Sequence, residues 1–379
     1  MSDPAKLDQV ETPALVLDRR KLEHNLARMQ TRAEALGVAL RPHMKTAKSR
    51  NVARLVGADR ITVSTLKEAD YFAEAGFTDI LYAVGMAPGK VSHAAALCRA
   101  GVALSVVTDS VEAAVAIGAK AEAEGVVLPV LVEIDTDGHR AGVKPEEDRL
   151  IGVGRAIHAS AGLRLAGVMT HAGESYNCTT PEAIIAMAEQ ERAGAVRAAE
   201  RLRAAGLQAD VVSVGSTPTA LFAAALQGVT ELRAGVYMFQ DLVMAGLGVC
   251  RPEEIAVSVL ATVIGHQSDK HWIITDGGWM ALSRDRGTAS QAIDQGYGLV
   301  CTEAGDILLD VLVLSANQEH GIIAARPGTA PLDLERFAVG SRVRILPNHA
   351  CATAAQHGAY LVVEEGADIE AVWPRQNGW

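Results

Sequence analysis

At 379 residues the chain exceeds one average domain, and 49% hydrophobic with 21% charged residues is the balance of a globular protein with a sizeable core. A net charge of -10 without a basic tract excludes nucleic acid as the expected main partner. No apolar run reaches membrane-helix length, and MSDPAKLDQVETPALVLD lacks the basic and apolar regions of a signal peptide. The five scattered cysteines, with no CxxC pair, point to a reducing cytoplasm.

In chain order, PALVLD (13–18) reads as a strand ahead of the first helix. Short β-rich runs then alternate with Ala-rich helical stretches. The runs are VALRPH (38–43), ITVS (61–64), DILYAV (79–84), LSVVTD (104–109), PVLVEID (129–135), LAGVMTH (165–171), VVSVG (211–215) and ELRAG (231–235). Helical patterns such as 111–125 and 182–206 lie between them, the second ending in Gly206, a helix stop. About eight such units in roughly 200 residues predict an α/β TIM (β/α)8 barrel. The near-continuous apolar strands suit a parallel sheet covered on both faces. A doubly wound sheet is disfavoured, because no GxGxxG follows the first strand. After residue 236 the helical period fades. The runs 256–266, 271–278, 307–321, 341–349 and 360–366 predict a mainly antiparallel β domain, which the N-terminal strand is expected to join. The expected division is a barrel over 19–240 and a β domain from 1–18 and 241–379.

In a barrel of this kind the strand C-terminal ends carry function. Lys45 follows the first strand within RPHMKTAKS, where Arg41, His43 and Lys48 are cationic neighbours able to activate an amine. Most lysines are merely solvated. Arg140 follows PVLVEID, His171 ends LAGVMTH with Tyr176 five residues on, and Ser216 and Thr217 follow VVSVG. Gly235 and Tyr237 follow ELRAG. GSTPT admits two readings: ordinary helix-start grammar, with Thr217 as N-cap and Pro218 first in the helix, or a phosphate cradle of backbone N–H groups. A lysine, a phosphate cradle and an arginine at one mouth together point to pyridoxal phosphate. Near the C-terminus, His349 and Cys351 in PNHACATAAQH share a face if the segment is extended, and suit one borderline-soft cation such as zinc. The plain alternative is a buried cysteine beside a loop histidine.

PHMKTAK, EIDTDGHRAGV, THAGESY, GSTPT, ELRAGVY and PNHAC, in this order over nearly the whole chain, resemble the fold-type III pyridoxal-phosphate enzymes of the D-threonine aldolase and D-serine dehydratase family. PNHACATA resembles the dehydratase branch, which includes the D-serine and, most closely, the D-threo-3-hydroxyaspartate dehydratases. The aldolase branch typically has an aspartate at the position of Cys351. The resemblance implies an alanine-racemase-like barrel plus a β domain, a homodimer, and Lys45 as the Schiff-base lysine. It implies Arg140 at the pyridine nitrogen, His171 or Tyr176 along the ring, and Ser216, Thr217, Gly235 and Tyr237 at the phosphate. It implies His349 and Cys351 as ligands of a divalent metal, zinc by preference, with manganese, cobalt or magnesium as alternatives. Asp276, Gly278 and Trp279 are placed on the substrate side. The implied activity is elimination of water from a 3-hydroxy-D-amino acid: D-threo-3-hydroxyaspartate, D-serine or D-threonine. The competing activities are aldol cleavage, racemisation, which the metal pair disfavours, and pyridoxal-phosphate binding without turnover. Neither nucleic acid nor membrane is an expected partner.

Overall fold

The computed structural model describes residues 6–364 and 366–379. Contacts divide the chain into two compact units, one comprising residues through Ala27 with Val236–Asn377, the other Arg28–Gly235 with the last two residues. The first strand, β1, is Ala14–Asp18, and the helix Arg19–Ala35 follows it.

The second unit contains β2 (Ala39–Leu40), β3 (Arg60–Val63), β4 (Asp79–Gly85), β5 (Ala103–Thr108), β6 (Leu128–Ile134), β7 (Leu163–Thr170), β8 (Val211–Val214) and β9 (Glu231–Leu232). All pair in parallel in the order β2-β9-β8-β7-β6-β5-β4-β3. The ends of that series meet just past β2, where His43 bridges Thr62 in parallel. Thr62 N–H donates to Pro42 O and Met44 N–H to Thr62 O, both at 2.8 Å. The sheet therefore closes as the alanine-racemase-like barrel expected, and it closes next to Lys45. Burial on both faces explains the apolar runs: six of the seven residues of β6 are buried. Helices start where side chains cap them, Ser110 accepting from Ala113 N–H and Thr180 from Ala183 N–H.

A polar chain runs through the barrel strands. Arg41 (8% exposed) donates from Nε to Glu231 Oε2 at 2.8 Å and from Nη1 to Asp79 Oδ1 at 2.7 Å and to Ile61 O at 3.3 Å. Ser213 Oγ donates to Glu231 Oε1 at 2.6 Å and accepts from Arg233 Nη1 at 2.7 Å. Arg233 Nη2 donates to Thr170 O at 2.5 Å. Glu231 and Arg233 are both buried.

The first unit carries β1 and β10 (Val257–Gln267), β11 (Trp272–Thr275), β12 (Leu299–Thr302), β13 (Ile307–Ala316), β14 (Gly321–Ala325), β15 (Arg342–Leu346), β16 (Ala359–Val363) and β17 (Ile369–Pro374). Their order is β11-β14-β13-β12-β15-β10-β1-β16-β17, and a further β10–β11 pairing closes the first six into a ring. Every pairing is antiparallel except β1 with β16, so the sheet is mainly antiparallel and PALVLD belongs to it, as expected. The run 307–321 is two elements, because Asn317 N–H donates to His320 O and turns the chain between β13 and β14. Leu242, Ile255, Leu299, Cys301, Leu312 and Leu346 pack one core, and Leu7, Val10, Val16, Leu260 and Val363 another.

Replacing Arg41 by Met strands the Glu231 carboxylate inside the barrel and is expected to cost about 3–5 kcal/mol. The double replacement Arg41→Met with Glu231→Leu is expected to recover much of this, read as the midpoint of urea unfolding.

Candidate functional site

Lys45 lies just past β2, beside the bridge that closes the barrel. Its backbone N–H donates to His43 Nδ1 at 3.4 Å, and its exposed amine has no hydrogen-bond or ion-pair partner among the described residues. The cations expected to tune it are spent elsewhere. Arg41 is committed to Glu231 and Asp79, and Lys48 Nζ lies 3.0 Å from Oε1 of the fully buried Glu68. Burial, with the charges of Lys45, Arg233 and His171, holds the His43 imidazole well below its ordinary range. Burial, then Lys45, pushes His171 down to about 3. The expected cationic cluster is thus a lysine flanked by two neutral imidazoles, because carboxylates absorb the two other cations.

His171 Nδ1 donates to Gly215 O at 3.1 Å, which leaves Nε2 as an acceptor. The Tyr176 ring lies 6.3 Å from it at 50°. Arg140 is near enough to add to the depression of His171, and its Nη2 donates to Glu133 Oε1 at 3.3 Å. Lys45, His43 and Arg140 thus lie within electrostatic reach of His171.

The GSTPT turn begins one residue earlier than expected. Ser216, not Thr217, is the N-cap: its Oγ accepts from Thr219 N–H at 3.3 Å, while Thr219 Oγ1 accepts from Ser216 N–H at 3.1 Å. Ser216 Oγ also meets Ser175 Oγ at 2.8 Å. Gly215 is at φ +136°, and a Cβ there would sit 2.0 Å from Arg233 O, so only glycine lets these strands meet. At Gly235 a Cβ would lie 2.9 Å from His43 O, so that loop runs directly against the Lys45 loop. Tyr237 is the middle residue of the turn Val236–Met238 in the other unit, where burial pushes its phenol up.

Glu191 escaped the sequence reading. Buried on the helix Pro181–Ala204, it accepts from Ala172 N–H at 3.0 Å, Gly215 N–H at 2.9 Å and Thr219 Oγ1 at 2.7 Å. Burial raises its pKa against these donors. The signal was available: Glu191 falls in the apolar stripe of Ile184, Ala188, Ala195 and Ala198.

His349 is the extended N-cap of the helix Ala350–Ala354, so Cys351 lies in a helix and not on a strand as expected. The pair still meets through a side-chain hydrogen bond. Asp285 Oδ2 accepts from His349 Nδ1 at 2.6 Å, which orients the ring and directs Nε2 away from the carboxylate. Burial opposes charge on His349, but the Cys351 thiolate, Asp285 and Asp241 push it up to about 11. Buried Asp241 accepts from Ala350 N–H at 3.0 Å and Met244 N–H at 2.9 Å and pins the helix start. Among the described residues no group of three or more His, Cys, Asp or Glu forms a metal cage. Two nitrogen and sulfur donors with an orienting carboxylate fit an open zinc-type site. Asp276, expected on the substrate side, is consumed structurally: it accepts from Thr262 N–H at 2.7 Å and Thr12 Oγ1 at 2.5 Å.

An unpaired amine at a barrel mouth, beside neutral imidazoles and a glycine turn, fits pyridoxal phosphate. Residues 17–242 match the alanine racemase N-terminal domain family and residues 256–363 the serine dehydratase domain family. The chain is 56% identical over 375 residues, 98% of each chain, to the D-threo-3-hydroxyaspartate dehydratase of Delftia sp. (strain HT23). It is 30% identical over 385 residues, 96% of each chain, to the D-serine dehydratase of Dictyostelium discoideum. It is also similar to a solved cysteine-to-alanine mutant of D-threo-3-hydroxyaspartate dehydratase in the metal-free form, at TM-score 0.96 and 54% identity over 99% of this chain and 100% of that one.

Glu191→Ala removes the acceptor of the buried Ala172 and Gly215 N–H groups, at about 1–3 kcal/mol each. The expected result is a lower Tm together with weaker pyridoxal-phosphate binding in an absorbance titration. His43 and His171 are held below the unfolded value of about 6.5. The unfolded chain therefore binds more protons under that pH, and the stability present above it is lost as pH falls towards 3. Urea midpoints measured between pH 7 and pH 4 should fall less steeply for His171→Asn than for the wild type.

Proposed function

The chain belongs to the pyridoxal-phosphate-dependent family of D-serine dehydratases and D-threonine aldolases, and on that premise we propose that it is a carbon–oxygen lyase acting on 3-hydroxy-D-amino acids. D-threo-3-hydroxyaspartate is the favoured substrate, giving oxaloacetate and ammonia. D-Serine and D-threonine are the further candidates. The observation that carries the reading is the unpartnered Lys45 amine beside two neutral imidazoles at the barrel mouth.

Lys45 would hold the cofactor covalently. Thr217 and Gly235 would offer backbone N–H groups to its phosphate, with Ser216 and Tyr237 completing the cradle. The bound cofactor supplies an electron sink for the α-carbon. Released by the substrate amine, Lys45 Nζ takes the α-proton as general base. His43 and His171, being neutral, do not compete as cations for the substrate carboxylate, and His171 Nε2 is an acceptor that orients donors. Arg140 can only donate, so at the pyridine nitrogen it would keep a proton off that atom. Glu133 holds the guanidinium in place.

His349 and Cys351 would hold a divalent cation, zinc by softness and by donor set. Such an ion lowers the pKa of bound water from about 15.7 to about 7, and so assists a leaving hydroxide. The protein is further proposed to be a homodimer, and cytoplasmic. All five cysteines are unbridged, and among the described residues no helix is long and apolar enough to cross a membrane.

One assay with pyridoxal phosphate and zinc tests the reading. Ammonia with a matching 2-oxo acid supports it; glycine with an aldehyde would move the protein to the aldolase branch. Lys45→Ala is expected to lose turnover by at least about a thousandfold. Cys351→Ala is expected to lose both turnover and bound metal by mass spectrometry, with the fold retained by circular dichroism.

A further inference from the structure

Four arginines are candidates to recognise a β-carboxylate: Arg41, Arg140, Arg284 and Arg286. Three already have a carboxylate. Arg41 is paired with Glu231 and Asp79, Arg140 with Glu133, and Arg286 with Asp294 at 2.6 Å. Arg284 is exposed and has no hydrogen-bond or ion-pair partner among the described residues. Its guanidinium lies over the Trp279 ring, 5.2 Å from the centroid. The cation–π contact holds the guanidinium over the ring without using any of its five N–H donors.

The platform beneath it is rigid. Trp279 N–H donates to Asn317 O at 2.9 Å and Met280 N–H to Gln318 O at 3.1 Å. A Cβ at Gly278 would sit 2.3 Å from Gln318 O, so the helix start is pressed onto that turn. Ser283 then adopts φ 75° and ψ 154°, a region that side chains rarely occupy. Its Oγ accepts from Asp285 N–H at 3.1 Å. The strained residue thus sets two neighbours at once: Asp285, which grips His349 at 2.6 Å, and Arg284 immediately before it. Farther on, Thr288 Oγ1 donates to Asn348 Oδ1 and Asn348 Nδ2 to Gly296 O at 2.8 Å, tying the same loop to the segment bearing His349.

In 3-hydroxyaspartate the departing hydroxyl and the second carboxylate share one carbon. The group that recognises that carboxylate must therefore stand beside the group that assists the hydroxyl. Resting on the dehydratase reading above, we infer that Arg284 is the specificity residue for a β-carboxylate, selecting 3-hydroxyaspartate over serine and threonine by bidentate hydrogen bonds.

Two measurements test this on the intact protein. For Arg284→Met, kcat/KM for D-threo-3-hydroxyaspartate is expected to fall about a hundredfold while that for D-serine stays within about threefold. Arg284→Lys, a charge without the fork, is expected to fall between. By calorimetry, wild type should bind succinate more tightly than propionate, and Arg284→Met should abolish the difference. Equal losses on both substrates, or no loss on either, would overturn the inference. So would a wild type that does not prefer succinate. A wild type that turns over no 3-hydroxy-D-amino acid sinks the dehydratase reading alone, and the succinate comparison still decides the role of Arg284.

Discussion

The buried ion pair of Arg41 with Glu231 is the contact from which the barrel site is built. Removing a guanidinium and a carboxylate from water is costly, so both must be fully hydrogen-bonded. Ile61 O and Asp79 accept from the guanidinium and Ser213 donates to the carboxylate, while Arg233 extends the chain from Ser213 to Thr170, so the network links the neighbourhoods of β2, β3, β4, β7, β8 and β9. Two residues past Arg41, the His43–Thr62 bridge closes the sheet. Two further on, the chain releases Lys45. The same arginine that looked in sequence like a tuning cation is a strut, and its charge is neutralised before the amine can feel it.

Positioning by carboxylates recurs. Glu191 ties the ends of β7 and β8 to the Ser216 cap through three donors. Asp241 anchors the start of the helix that carries Cys351, and Asp285 orients the His349 ring. Each is an acid that fixes backbone or imidazole rather than reacting. Glu191 and Asp241 are costly to bury, which is why each meets specific donors at hydrogen-bond distance, whereas Asp285 acts from an exposed position.

Much of the barrel was legible because a buried parallel strand is an unbroken apolar run and its helices start with recognisable caps. The β domain was read less finely. Its strands are separated by tight turns such as Asn317–His320, and apolar runs on both sides merge in sequence. Lys45, His171 and Ser216 were found because strand ends are where a barrel places chemistry. The protonation of their neighbours was not, since it depends on partners far along the chain: Glu231 lies 190 residues from Arg41. Glu191 was legible as a charge in an apolar stripe and was passed over. His349 and Cys351 do meet, but through a helix cap and not along the extended segment expected of them.

A protein of net charge -10 presents a general repulsion to an anionic ligand, the dicarboxylic amino acid proposed above included. Salt screens that repulsion within about 8 Å, so capture depends on cations that stay uncompensated close to the ligand. The chain is sparing with these. Arg41, Lys48, Arg140 and Arg286 each face a carboxylate, and His43 and His171 are held neutral. Arg284 has no ion-pair partner among the described residues. A cation left without a partner forgoes an ion pair that would contribute modestly to stability, and at an exposed position that loss is small. What it retains is a directed field for an incoming anion. Pairing the other arginines sharpens that field, because it leaves one guanidinium as a distinct point of attraction instead of a diffuse basic patch.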